Sequence, residues 1–83
     1  MEHKQIYQLK CGEWFTNEYQ TPSHARRFEA FGPANKLGDV RVYYRDLSDH
    51  TIRETYYSPR WNVVVYPQSH IFQYNNINQY GIQ

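Results

Sequence analysis

The chain has one cysteine, one methionine, three leucines (Leu9, Leu37 and Leu47) and no long apolar run among its 83 residues. Cys11 has no second cysteine to bridge to and no companion for a zinc site, so covalent and metal staples are excluded and the redox compartment is unreadable. The longest aliphatic run, Val63-Val64-Val65, falls far short of the roughly 18 apolar residues a membrane span needs, and no membrane insertion is expected. Met1-Glu2-His3-Lys4-Gln5 leads into no apolar core of a signal peptide, which leaves localisation open. Charge is sparse too. Nine Lys and Arg stand against eight Asp and Glu, a net charge of +1 with no polybasic run, so nucleic acid ranks last among expected partners. A chain of this length buries roughly 60% of its unfolded surface, enough for one small domain and too little for an enzyme with separate cofactor and substrate domains.

What is present is aromatic. Nine Tyr, four Phe and two Trp make up 18% of the chain. With Val and Thr they suit a pleated, half-buried surface, so a β-rich domain is expected. Two stretches resemble each other. Ile6 followed by Trp14 and Tyr19 is matched by Ile52 followed by Trp61 and Tyr66, at offsets of 46 to 47 residues. Each reads as a strand, a short turn (Cys11-Gly12-Glu13 or Ser58-Pro59-Arg60) and a second strand opening with Trp. That period lies beside the roughly 40–45 residues of one four-stranded propeller blade. Between the copies, Val40-Arg41-Val42-Tyr43-Tyr44 reads as a strand that forms a hairpin with residues 51–57.

Residues 21–31 are ambiguous. Thr21 is a good N-cap, Pro22 suits the first helical position and Gly32 the position after a helix end, with Ala25, Phe28 and Phe31 on one face. Local signals therefore predict a helix, whereas the repeat predicts a strand with charges on both faces. The Asn- and Gln-rich residues 69–83 read as a polar tail, or through their interspersed apolar residues as the start of further strands.

The order Trp14, then Val40-Arg41-Val42-Tyr43-Tyr44, then Ile52-Arg53-Glu54, then Trp61 resembles the fucose-specific β-propeller lectins of fungi and soil bacteria, over most of residues 5–66. The resemblance implies an all-β fold of about two blades per chain, with residues 5–19 a partial blade, 24–66 a complete one and 69–83 the start of the next. It also implies that three copies close a six-bladed ring, since a blade buries its faces only against neighbours. It places Arg41, Glu54 and Trp14 at one sugar site between blades, with Trp61 facing a second, defective site where Gln8 replaces a glutamate. A guanidinium donates in a fixed fork, a carboxylate accepts from hydroxyls, and an indole covers the apolar side of a sugar. The chain departs from the family pattern at Arg26, Arg27 and Glu29, where small apolar residues are expected, and at Cys11, where an aromatic is expected. Without the family pattern, Arg41 and Glu54 read as a cross-strand ion pair, and the tyrosines as packing residues.

The expected function is a carbohydrate-binding lectin for fucosylated glycans. The alternative is a small α+β protein of the phage or mobile-element kind, with a helix over 21–31 on an antiparallel sheet, acting as an inhibitor or adaptor by protein contact. A third reading uses exposed tyrosines and Arg26, Arg27, Arg41, Arg45 and Arg53 to hold single-stranded nucleic acid. His3, His24, His50 and His70 have no ligand-pair spacing, so neither a metal nor a cofactor is expected. Cys11 has no adjacent histidine, and Asp46 and Asp49 lie in a turn beside basic residues, so no enzyme is expected.

Overall fold

The computed structural model describes residues 1–47 and 50–71. Within them, six strands form one antiparallel sheet: β1 (Glu2–Gln5), β2 (Trp14–Asn17), β3 (Arg26–Ala34), β4 (Val40–Asp46), β5 (Ile52–Tyr57) and β6 (Asn62–Tyr66), in the order β1-β6-β2-β3-β4-β5. Short 3-10 turns span Ile6–Gln8 and Pro22–His24, and residues 68–71 form a single helical turn.

The β-rich expectation holds. The helix over 21–31 does not. Thr21 and Pro22 do start a helical turn, but it stops at His24 and the chain is extended from Ala25. Two of the three charges that argued against a strand, Arg26 and Glu29, find partners across the sheet. Arg26 stacks over the Tyr44 ring and donates to the Tyr57 hydroxyl, while Glu29 sits at a bulge and accepts from Arg45. Gly32 ends no helix either. It lies within β3, where an added Cβ would stand 3.0 Å from Tyr43 and 3.1 Å from Arg41.

Residues 24–66 were expected to pair as a four-strand blade. Their first three strands do form a meander, but β6 joins β1 and β2 and makes no pairing with β5. The reason lies in the side chains of β6. Val63 and Val65 enter one core, and Val64 and Tyr66 enter the other, so the strand is buried on both faces and belongs in the middle of a sheet. The two repeat copies also differ in environment, since Trp14 opens β2 buried whereas Trp61 precedes β6 and is 50% exposed. Of residues 69–83, only 69–71 are described, and they belong to the helical turn; the predicted strands at 72–83 lie outside the described residues.

The sheet is curled. Phe15 on β2 and Tyr57 on β5 meet edge to face at 6.3 Å, although two strands lie between them and a flat sheet would separate them by about 14 Å. Two irregularities in β3, between Phe28 and Ala30 and between Phe31 and Ala34, supply the bend. Pro33 is tolerated because β2 pairs with β3 only at Arg26 and Arg27, which leaves that length of β3 without a ladder partner on one side. The concave face holds the larger core of Ile6, Leu9, Phe15, Phe28, Val42, Tyr44, Val63 and Val65. On the convex face, Trp14, Ala25, Val64, Tyr66 and Ile71 form a smaller core over β6 and β2 only.

Candidate functional site

Alternation along β4 decides what the rest of the convex face presents. Val40, Val42 and Tyr44 point into the concave core, so Arg41, Tyr43 and Arg45 point outward. Their neighbours on β5 are Tyr56 opposite Arg41, Glu54 opposite Tyr43, and Ile52 opposite Arg45. Exposed Ile52, Glu54 and Tyr56 give this half of the sheet a solvent-facing surface.

Arg41 is the best-anchored charge on it. Its Nε and Nη2 donate to the Tyr56 hydroxyl at 3.1 and 2.6 Å, and its Nη1 donates to the Tyr43 hydroxyl at 3.2 Å. These bonds, Tyr43's first and then Tyr56's, raise the guanidinium's pKa further above its ordinary value, so it stays charged. Glu54 lies diagonally across the ladder, its Oε2 3.9 Å from Arg41 Nη1, and its side chain is 57% exposed. The ion pair is therefore loose and the carboxylate keeps free acceptor capacity. Gly32 on β3 makes room for this group, because any side chain there would push on Tyr43 and Arg41.

The four residues expected to hold a sugar are brought together only in part. Arg41 and Glu54 are neighbours. Trp14 faces the same side of the sheet, but it sits in the cross-strand row of Arg27 and Arg45, about 13 Å along β4 from Arg41, and only 6% of it is exposed. Trp61 lies before β6, its carbonyl accepting from the Ile6 amide at 3.0 Å, and joins neither group.

Sequence reasoning missed Tyr43 and Tyr56 as the groups that position Arg41. The signal was available, since period-2 spacing puts Arg41 and Tyr43 on one face and Val42 and Tyr44 on the other. The tyrosines divide along that line: Tyr44 and Tyr57 pack on the concave core, whereas Tyr43 and Tyr56 bind Arg41. Burial, opposed by nearby Arg26, raises the Tyr57 hydroxyl above its ordinary value.

Among the described residues, no cluster of three or more His, Cys, Asp or Glu side chains is placed to hold a metal ion, and no helix is long and apolar enough to cross a membrane. No protein family, curated protein or solved structure matches the chain.

Proposed function

We propose that the protein is a non-catalytic carbohydrate-binding module that takes a fucose-type sugar on the convex face of β3, β4 and β5. The observation that carries this reading is the pairing of a pre-positioned Arg41 with an exposed Glu54 on an open sheet face. Two tyrosine hydroxyls hold the guanidinium before ligand arrives, which reduces the ordering entropy lost on binding. Glu54 accepts from sugar hydroxyls, and the half-exposed Tyr56 ring offers an apolar surface. In the propeller form of this proposal, three copies assemble, and Trp61 faces a second, incomplete site between blades. With β6 held between β1 and β2, that assembly depends on contacts made by the open edge of β5.

Exposed Tyr7, Phe31, Leu37, Ile52 and Trp61 favour the second reading, a module that acts by protein contact. A thermal melt with L-fucose separates the two. At ten times the dissociation constant, mass action stabilises by about 1.4 kcal/mol, a rise of about 6–11 °C for a domain of this size. Arg41→Ala removes the rise and Lys36→Ala, at an exposed position, keeps it. A melting temperature unmoved by fucose in the unmodified protein refutes the sugar reading.

A further inference from the structure

Thirteen or so ångströms along β4 from Arg41, on the same convex face, the row Trp14, Arg27, Arg45 ends in a second cleft. It is lined by Trp14, Arg27, Arg45, His50 and Gln68 and encloses about 210 Å³. Each wall has a different origin. β2, β3 and β4 supply Trp14, Arg27 and Arg45, the segment leading into β5 supplies His50, and the helical turn after β6 supplies Gln68.

The charges of this cleft are unequally satisfied. Arg45 donates to Glu29 Oε1 at 3.1 Å and to the His50 carbonyl at 2.9 Å, so it is fixed in place. Arg27 has no hydrogen-bond or ion-pair partner among the described residues. Its guanidinium lies over the Gly12 turn, where a Cβ on that glycine would stand 3.8 Å from Nη2. Among the described residues, two guanidiniums against the single carboxylate of Glu29 leave the row with an excess of one positive charge. Asp46, the other acid on this end of β4, is in register with Arg26 and paired with Arg53 at 3.8 Å.

We infer that this cleft is a binding site for a small ring that carries an oxyanion, of the size of a single sugar bearing a carboxylate or a phosphate. The volume is below the roughly 300 Å³ at which drug-sized pockets begin, which limits the occupant to about one ring. Arg27 takes the oxyanion by a forked, charge-assisted pair of bonds, with Arg45 adding a second fixed charge. The Gln68 amide and the His50 ring reach polar groups of the ring, and the rim of the Trp14 indole packs on its apolar side. The site is independent of the sugar-binding proposal for Arg41 and Glu54.

The test is titration calorimetry of the full chain with four probes: glucuronate, glucose 6-phosphate, inorganic phosphate and glucose. The inference expects at least one ring-bearing anion to bind, glucose not to bind, and affinity to fall as salt is raised. Glucuronate alone, or glucose 6-phosphate alone, identifies which oxyanion the site takes. Arg27→Gln lowers the affinity at least tenfold while leaving the fold intact, because Arg27 is an exposed side chain with no partner to orphan among the described residues. Arg41→Ala leaves anion binding unchanged, so failure of one site is distinguishable from failure of the other. No heat from any anion at tens of millimolar, inorganic phosphate binding as well as the ring-bearing anions, or equal binding by Arg27→Gln overturns the inference.

Discussion

Replacing Gly32 with alanine sets two effects of opposite sign against each other. Alanine restricts the unfolded chain, which stabilises by about 0.4–1 kcal/mol where the native backbone accepts it, and Gly32 is not in the left-handed region. Against this, the new methyl would stand 3.0 Å from Tyr43 Cε2, 3.1 Å from Arg41 Cδ and 3.2 Å from Arg41 Cβ. The first two atoms can swing aside. Arg41 Cβ cannot, because β4 is paired on both sides, so the strands must part by a few tenths of an ångström. Overpacking of this kind costs about 1–3 kcal/mol, and the difference leaves a net loss centred near 1.3 kcal/mol. For a domain of this size that lowers the melting temperature by roughly 5–10 °C, read by circular dichroism and by the urea midpoint. The displaced Arg41 also loses its seat on Tyr43, so the fucose response weakens. Gly38→Ala is the control. Its Cβ meets nothing within 4 Å, but its φ of +86° imposes backbone strain of about 1–2 kcal/mol, and it leaves the fucose response unchanged. A Gly32→Ala protein as stable as its parent refutes the reasoning.

Ile71→Ala should cost about 2–5 kcal/mol in urea unfolding, since Ile71 is fully buried against Trp14, Val64 and Tyr66; a change within about 0.5 kcal/mol would show that the helical turn does not dock. Stability should also fall in alkali. Burial raises the Tyr57 pKa above 10.0, and the hydrogen bond to Glu13 raises that of Lys4 above 10.5, so the folded state holds both protons more tightly than the unfolded chain. Their contributions are complete below those ordinary values and are lost as pH climbs through the folded ones. The urea midpoint is therefore expected to drop between pH 9 and pH 11 by less in Tyr57→Phe than in the parent, and equal drops would contradict the assignment to Tyr57.

The hairpin of β4 and β5 and the meeting of Arg41 with Glu54 were legible because both depend on patterns a few residues long: Val-Arg-Val-Tyr-Tyr alternates, and a polar turn returns the chain to Ile52-Arg53-Glu54. The strandedness of 26–34 was hidden because Arg26 and Glu29 are satisfied by Tyr57 and Arg45, which no local window contains. The place of β6 was harder still. Its unbroken Val63-Val64-Val65-Tyr66 marks a strand covered on both faces, but nothing in the run names the strands that cover it. Ile71 stood at the edge of a polar stretch that read as tail or as the start of a strand, whereas it sits in a helical turn and closes the smaller core.

The position of β6 between β1 and β2 governs the order in which the chain can become a protein. Residues 26–57 can zip locally as soon as they leave the ribosome, whereas β1 and β2 emerge first and then wait for the last strand to slot between them. Until then both stand as unpaired edges, open to any passing strand. A ribosome stalled anywhere before residue 62 releases half a sheet with its seam undone, and chaperone demand should concentrate in that interval of synthesis.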